Sequence, residues 1–247
     1  MRLAVLDDIH GNLTALDAVL GEARRARVDR IVVGGDVFPG PEAHAALRTL
    51  IACGTPVDFI YGNGEVAILD ALAGRTPRLP EAYRPSLRWN ADQLDSAEQA
   101  FIRRWPMTLR MNLPSIGDVL FCHATPRNEN EIFTRLTPEE RLIPIFEAAN
   151  AALVVCGHTH MVMDRTIGRV RVVNPGSVGM PFGPPGADWM LLGPDVEMRH
   201  TNYDLGRAAE RIRASGYPGA EEFAAKHVLD PPSAESMLEV YATHQLT

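Results

Sequence analysis

Short apolar runs alternate with amphipathic stretches over the first quarter of the chain. Three of these runs predict buried strands, at residues 2–7, 31–33 and 57–61. Between the first two, apolar residues recur at helical spacing over 13–23, with Asn12 placed to act as the N-cap. Residues 41–52 predict a second helix. Strand, helix, strand, helix, strand is typical of a parallel sheet with right-handed crossovers.

This rhythm breaks in the middle of the chain. Residues 64–105 are rich in Pro, Arg and Ala and predict a helical excursion over the sheet edge. It contains one clear helix, whose capping box we place at Ser96-x-x-Gln99. Two further strands and a helix are then predicted at residues 118–122, at residues 151–156, and from Thr137 as N-cap with Pro138 at the first helical position.

The C-terminal third has a different pattern. Four short β runs separated by turns predict an antiparallel second sheet, at residues 161–166, 169–173, 189–192 and 196–200. A dense Pro- and Gly-rich loop at 174–186 lies among them. Residues 204–247 predict a C-terminal helical extension. We expect one domain over residues 1–247, with the excursion and the extension as parts of it.

Composition narrows the functional classes. The 247 residues are 46% hydrophobic with a net charge of −7, which argues against an extended nucleic-acid surface. No apolar run approaches the ~18 residues of a membrane helix, and the first one is cut short by Asp7 and Asp8. The odd count of three cysteines favours a reducing compartment. We therefore expect a cytoplasmic protein without membrane association.

Polar residues of the types that bind metal ions follow five of the predicted strands. They are Asp8, His10, Asp36, Asn63, His123, His158 and His160. Each alone has an ordinary explanation as a helix cap, a turn residue or a hydrogen-bonded core histidine. Such structural roles do not explain why five separate segments all end in carboxylate, amide or imidazole groups. Because ligands bind at the carboxyl ends of parallel strands, the sequence predicts a metal site there.

Local spacing supports this prediction. In an extended stretch, residues i and i+2 lie on one face, so His158 and His160 are predicted to serve one cluster. Asp8 and His10 can turn toward one point in the same way. Carboxylates combined with imidazoles suit Mn²⁺, Fe or Zn²⁺ better than Ca²⁺ or a structural zinc site.

The order of these motifs resembles the calcineurin-like metallophosphoesterase superfamily. The resemblance rests on Asp8-x-His10, Gly35-Asp36, Gly62-Asn63, His123 and Gly157-His-Thr-His160. Asn174-Pro-Gly-Ser-Val-Gly is similar to the family's small bacterial and archaeal phosphodiesterase branch. The resemblance implies an α/β fold, a four-layer αββα sandwich of two mixed β-sheets flanked by helices. It also implies a dinuclear metal site at the carboxyl ends of the strands.

The resemblance also implies a ligand set and a cofactor. The ligands of one ion would be Asp8, His10, Asp36 and His160, and those of the other Asp36 as the bridge, Asn63, His123 and His158. The cofactors would be two divalent metal ions, with Mn²⁺ expected and Fe, Zn²⁺ or Ni²⁺ also compatible. Asn63 would contact the phosphate as well as bind metal.

The implied activity is that of a metal-dependent phosphoesterase, chiefly a phosphodiesterase. A metal-bridging hydroxide would attack phosphorus in line, in a small phosphorylated substrate, with nucleotides among the candidates. One alternative is a nucleotide phosphoanhydride hydrolase of the dinucleoside polyphosphate type. Another is a non-catalytic protein-binding scaffold, although such a scaffold would be expected to have lost ligands. A homodimer, formed through the β edge after Met161 or the helical tail, is also left open.

One position departs from the family pattern. The family usually has Gly-Asn-His followed by an acid, whereas this chain has Gly62-Asn63-Gly64-Glu65. The usual histidine assists the leaving group, a contribution of about 10²–10⁴-fold that Gly64 cannot make. We therefore predict weak activity on alkyl monoesters. Glu65 is assigned to supporting the turn or to a contact behind the ligands.

Other residues are given supporting roles or none. Asp7 is either a partner of a ligating histidine or a turn residue. The loop 174–186 is predicted to form a wall of the pocket, with Asn174 holding a ligating histidine and Gly176 and Ser177 beside it. The remaining histidines are assigned to the surface or to packing. They are His44, His200, His227 and His244.

Overall fold

The computed structural model describes residues 1–77 and 80–246 and contains two mixed five-stranded sheets. The ten strands are β1 Leu3–Leu6, β2 Arg30–Val33, β3 Val57–Phe59, β4 Thr108–Leu113, β5 Gly117–Cys122, β6 Leu153–Val155, β7 Met163–Ile167, β8 Val170–Asn174, β9 Ala187–Leu192 and β10 Val196–Thr201. The first sheet has the order β10-β9-β1-β2-β3 and the second β4-β5-β6-β8-β7.

The helices flank these sheets. Their bounds are α1 Leu13–Arg25, α2 Ala43–Ala52, α3 Asn63–Leu72, α4 Arg84–Ala91, α5 Ser96–Ile102, α6 Glu139–Phe146, α7 Leu205–Ala214, α8 Ala220–Phe223 and α9 Ala234–Tyr241. Helix α8 continues into a π-helix at Ala224–Leu229. Within the described ranges, no helix is long and apolar enough to span a bilayer.

The two sheets pack face to face, with helices on both outer surfaces. Strand β1 is buried on both sides: Leu3 and Val5 join the core between the sheets, while Ala4 and Leu6 join the core under α1 and α2. A strand buried on both faces needs a continuous apolar run, which explains the pattern at residues 2–7. Helix α6 covers the outer face of the second sheet. The predicted four-layer sandwich is confirmed.

The first helix begins as predicted. The Asn12 side chain accepts a hydrogen bond from Ala15 N (3.2 Å) and so caps α1. The capping box of α5 is different from the prediction: it is formed by Asp95 and Glu98, one residue earlier than Ser96 and Gln99. Asp95 is the N-cap because its carboxylate accepts hydrogen bonds from two backbone N–H groups at the helix start.

The start of α6 also differs. The helix begins at Glu139, and the Thr137 hydroxyl accepts a hydrogen bond from Thr134 N instead of capping the helix. Strand β4 was not predicted. Thr108–Leu113 mixes Arg and Asn with apolar residues and lies at the edge of the second sheet, so its apolar pattern is weak.

The prediction that residues 161–201 form a second sheet of their own is wrong. The two hairpins exist, but β7 and β8 extend the second sheet, where β8 runs parallel to β6. Strands β9 and β10 join the first sheet, where β9 is antiparallel to β1. Local periodicity identifies a hairpin but carries no information about its distant partner strand.

Candidate metal centre

The predicted ligands come from the carboxyl ends of parallel strands in both sheets. In the first sheet, Asp8 and His10 follow β1, Asp36 follows β2, and Asn63 opens α3 after β3. In the second sheet, the three remaining histidines follow β5 and β6: His123, His158 and His160. Asp8, Asp36 and His123 are almost completely buried. The structure thus brings together residues that are up to 152 positions apart.

The ligand atoms converge on two neighbouring points. Nε2 of His10 lies 3.2 Å from Nε2 of His160, which in turn lies 3.5 Å from Asp8 Oδ1. Asp36 Oδ2 lies 3.6 Å from His10 Nε2 and 3.6 Å from His123 Nε2. A single carboxylate oxygen therefore stands midway between histidines assigned to different ions, which suits the bridging role expected of Asp36.

The histidine tautomers suit metal binding. Three ring nitrogens hydrogen-bond to backbone carbonyls: His10 Nδ1 to Pro39 (3.1 Å), His123 Nδ1 to Gly34 (2.9 Å) and His160 Nδ1 to Met180 (2.8 Å). A carbonyl can only accept, so each Nδ1 carries the hydrogen and each Nε2 keeps its lone pair for a metal ion. In His158 the arrangement is reversed. Its Nε2 donates to the Asn130 carbonyl (3.1 Å), which leaves the lone pair on Nδ1.

The carboxylate and amide oxygens complete the donor set. Asp8 Oδ2 accepts from His158 N (2.9 Å), whereas Oδ1 is buried and has no hydrogen-bond partner in the part of the chain that the structure describes. An orphaned buried carboxylate oxygen is costly unless a cation is there. Asn63 Oδ1 lies 3.0 Å from His123 Nε2. The residues therefore fit divalent cations.

Two compact groups stand out by distance. In each group the ligand atoms lie within 4.8 Å of one another: Asp8, His10 and His160 form one, and Asp8, Asp36 and His123 form the other. The second group does not include His158. That histidine packs edge-on against His123, with ring centroids 5.1 Å apart.

The buried charges are strongly coupled. Burial opposes a charge on His123, but the neighbouring Asp36 carboxylate raises its pKa to about 10. Burial, and next the charge of His123, lower the pKa of His158 to about 4. Buried carboxylates thus hold positive charge next to them, and a bound cation can take that place.

Most of the predicted ligands have an unusual backbone conformation. Five have positive φ: Asp8 (55°), His10 (43°), Asp36 (51°), His158 (68°) and His160 (56°). The extended conformation predicted for 158–160 is therefore wrong, because a left-handed turn directs both imidazoles to the site. Non-glycine residues at positive φ cluster at functional sites, and each costs about 1–3 kcal/mol.

Glu65 secures the loop that carries Asp36. Its carboxylate accepts hydrogen bonds from three backbone N–H groups: Asp36 (2.9 Å), Phe38 (3.0 Å) and Gly62 (2.8 Å). Burial and then the charge of Asp36 raise its pKa to about 7. The expected supporting role thus has a definite geometry, since Glu65 ties the end of β2 to the start of α3.

Gly64 is more than a position without a side chain. Its N–H donates to Asp36 Oδ1 (2.7 Å), which leaves Oδ2 directed at the centre. A Cβ atom at this position would overlap the Phe38 carbonyl oxygen and lie 2.9 Å from Asp36 Oδ1. The space that a histidine would need is therefore filled by the neighbouring loop.

Asp7 lies behind the centre. Its side chain is fully buried against Gly34 and Gly157, and its Oδ2 has no hydrogen-bond partner among the described residues. Burial, and next the charge of Asp8, raise its pKa to about 8. Among the hydrogen bonds of the described chain, none joins Asp7 to a ligating histidine.

The loop after β8 is fastened to the ligand segments. Asn174 Nδ2 donates to the Gly157 carbonyl (2.7 Å) and to Thr159 Oγ1 (3.1 Å), so it holds the residues on both sides of His158. Gly176 N donates back to Asn174 Oδ1 (2.8 Å). Ser177 Oγ donates to the Asp8 carbonyl (2.7 Å). The loop thus supports the ligands through their backbone.

Sequence reasoning missed the contribution of the C-terminal helices. His227 is half-buried, and burial followed by the charges of His160 and His10 lowers its pKa to about 4. The sequence assigned His227 to the surface or to packing, and its ring does pack against Phe223; helical periodicity cannot show that a tail returns to the site. By contrast, His44 and His200 pair with Glu98 and Asp188, away from the ligands.

The sandwich and the convergent donor set define a metallophosphoesterase, and the comparisons with known proteins agree. The family model described as the calcineurin-like phosphoesterase superfamily domain matches residues 1–194. The chain belongs to this superfamily, whose members use divalent metals and act as phosphohydrolases.

Relatives extend the match beyond the family domain. The uncharacterized protein MJ0912 of Methanocaldococcus jannaschii is 24% identical over 238 residues, covering 87% of this chain and 93% of its own. The hypothetical protein PH1004 of Pyrococcus horikoshii has a similar fold, with a TM-score of 0.77 and 21% identity. The match covers 94% of this chain and 99% of PH1004. A metallophosphoesterase from Sphaerobacter thermophilus gives a TM-score of 0.69 at 25% identity. This match covers 91% of this chain and 97% of the other.

Proposed function

We propose that this protein is a dinuclear-metal phosphodiesterase that hydrolyses small phosphorylated molecules. The observation that carries the proposal is the Asp36 Oδ2 atom, 3.6 Å from a histidine on each side. This geometry suits one carboxylate shared by two ions. The orphaned Asp8 Oδ1 and the three Nε2 lone pairs supply further donors.

Each residue has a distinct part in the proposed reaction. When bound, two divalent ions supply Lewis acidity toward a phosphoryl oxygen and lower the pKa of a coordinated water. Asp8 and Asp36 hold the ions and reduce the net charge of the pocket. Asn63 directs its Oδ1 toward the second point, so its NH₂ group is free to donate to a phosphoryl oxygen. Glu65 fixes the backbone of Asp36 and of Gly62, the residue before Asn63, relative to each other.

The expected preference for aryl phosphodiesters and phosphoanhydrides over alkyl monoesters follows from position 64. Gly64 offers no proton to a leaving oxygen, and the Phe38 carbonyl fills the space beside it. Basic alkyl leaving groups therefore suffer more than aryl or anhydride leaving groups. The same argument keeps dinucleoside polyphosphates as an alternative substrate, because a phosphate leaving group needs little protonation.

The test compares substrates and one ligand variant with Mn²⁺. We expect bis-aryl phosphodiesters to be hydrolysed faster than alkyl monoesters, with dinucleoside polyphosphates assayed in parallel. Asp36→Asn should lose more than about 100-fold in kcat/KM, because even residues behind metal ligands cost 10–100-fold when changed. Wild-type protein that binds metal but performs like Asp36→Asn would favour the scaffold alternative. Faster turnover of alkyl monoesters than of bis-aryl diesters under the same Mn²⁺ conditions would contradict the leaving-group argument.

The metals, location and assembly are further parts of the proposal. Mn²⁺ is the proposed native ion, with Fe, Zn²⁺ and Ni²⁺ as alternatives that elemental analysis of the purified protein can distinguish. The unpaired Cys53, Cys122 and Cys156 support a cytoplasmic location. A homodimer can be tested by sedimentation.

A further inference from the structure

The C-terminal helices pack against the loop that supports His160. Helices α7 and α8 and the π-helix share one apolar cluster, made of Ala208, Ala209, Ile212, Phe223, Ala224 and Val228. Met180 packs against this cluster, and its carbonyl accepts the Nδ1 hydrogen bond of His160 (2.8 Å). One loop residue therefore joins the C-terminal helices directly to the metal centre.

An aromatic contact joins the same parts. Phe182 stacks on the His160 ring, with centroids 5.2 Å apart and an interplanar angle of 25°. Tyr241, the last residue of α9, lies 6.3 Å from the Phe182 ring centroid. Burial and then the charge of Asp8 raise the pKa of Tyr241 to about 12. The end of α9 is thus close to the centre as well.

His227 lies on the π-helix, within this C-terminal layer. Its ring packs edge-on against Phe223, with centroids 5.3 Å apart. Its Nδ1 is buried but lacks a hydrogen-bond partner anywhere in residues 1–77 and 80–246. Unpaired buried nitrogens are uncommon, and π-helical turns occur frequently at functional sites.

The position of His227 matters because of what position 64 lacks. Gly64 provides no side-chain donor beside Asp36, and the Phe38 carbonyl leaves no space for one there. His227 comes from a different segment: it packs on Phe223, whose cluster contacts Met180, the residue that holds His160. The charges of His160 and His10 also lower its pKa. A neutral imidazole carries one N–H donor and needs an acceptor for it.

We propose that His227 donates an imidazole N–H hydrogen bond to an oxygen of the phosphate group bound at the metal centre. This inference rests on the proposed phosphoesterase function. It needs no proton transfer, since the N–H only stabilises negative charge on a phosphoryl or leaving oxygen. The C-terminal extension then supplies a catalytic residue as well as covering the site.

The test uses the full-length, Mn²⁺-loaded protein. His227→Phe keeps an aromatic ring against Phe223 but removes the N–H, and His227→Gln keeps a donor. Lys226→Ala is the matched control, because Lys226 is the exposed neighbour on the same π-helix and pairs with Glu222. Two quantities are measured: kcat/KM for a bis-aryl phosphodiester, and the dissociation constant of inorganic phosphate by titration calorimetry.

We expect His227→Phe to lower kcat/KM about 10- to 100-fold, somewhat less than the loss of a preorganised oxyanion donor. Its phosphate affinity should weaken about 5- to 10-fold at unchanged metal content. His227→Gln should recover part of both, and Lys226→Ala should match the wild type. His227→Ala, with the same expected losses, replaces the Phe variant if that variant does not fold.

Two outcomes separate this proposal from the one on which it rests. Wild-type kcat/KM and phosphate affinity in the His227 variants, at full metal content, would overturn the role of His227 and leave the phosphoesterase proposal intact. Absence of Mn²⁺-dependent hydrolysis in the wild type would instead count against the proposed function. Phosphate affinity still decides the His227 contact in that case.

Discussion

The individual polar atoms of Asp36 make separate contacts at this centre. One of its oxygens accepts the Gly64 N–H, and the other lies between His10 and His123. Its own backbone N–H is held by Glu65. Its carbonyl accepts from His10 N, so every polar atom of the residue has a contact. Replacing the side chain would remove both the proposed bridge and the acceptor of the Gly64 N–H at the start of α3.

Position 64 gives the sharpest prediction at the scale of the residue. Gly64→His should not restore monoester turnover, because the Cβ already overlaps the Phe38 carbonyl, and overpacking should cost about 1–3 kcal/mol of unfolding free energy. Urea denaturation and a monoester assay check both parts. Gly21→Ala, in the interior of α1 with its nearest neighbour 3.6 Å away, is the control and should stabilise by about 0.5–1 kcal/mol. A folded Gly64→His variant with faster monoester hydrolysis would refute this.

The sequence located these residues but not their geometry. Five of the seven predicted ligands have their ligand atoms close together, and Asn63 and His158 each contact His123. Their positions were predictable because strand ends and motif order are local features. The left-handed backbone at five of them and the reversed ring of His158 depend on neighbours far along the chain. Spacing alone could not predict either.

Elements were predictable where one residue type dominates the local energetics. Asn12 caps α1, as expected. The start of α5 was misplaced by one residue, since adjacent Asp95 and Ser96 both suit an N-cap and only the structure shows which one is used. Strand β4 and the division of the two hairpins between sheets depend on long-range pairing.

The cap of α5 can be tested directly. Asp95→Ala should lower the unfolding free energy by about 1 kcal/mol, because two backbone N–H groups lose their acceptor. Ser96→Ala, one residue later and exposed, should change it by less than about 0.5 kcal/mol. Chemical denaturation of both variants measures the difference. A larger loss of stability in Ser96→Ala than in Asp95→Ala would instead support Ser96 as the N-cap.

At the scale of the whole molecule, the centre lies at the seam between the two sheets. Asp8, His10, Asp36 and Asn63 come from the first sheet, and the remaining histidines come from the second. The resemblance predicted this architecture correctly over most of the chain. It said nothing of the C-terminal helices, which lie beyond the matched residues 1–194 and yet approach the site.

Metal binding should therefore stabilise the whole fold. At a concentration of Mn²⁺ 100 times its dissociation constant, linkage gives about 2.7 kcal/mol. For a chain of this size that corresponds to a rise in Tm of about 5–10 °C. Differential scanning calorimetry with and without Mn²⁺ measures the rise, and Ca²⁺, which prefers all-oxygen sites, should give little. An equal rise in Asp36→Asn would show that the ions bind elsewhere.

The left-handed backbone of the ligands has a consequence for how such a centre is lost over evolution. Glycine adopts positive φ without strain, so replacing Asp8 or Asp36 by glycine relaxes the backbone while it deletes a ligand. Selection for stability and selection for hydrolysis then act in opposite directions at these positions. A descendant freed from its catalytic duty would be expected to lose these carboxylates early and keep the sandwich unchanged.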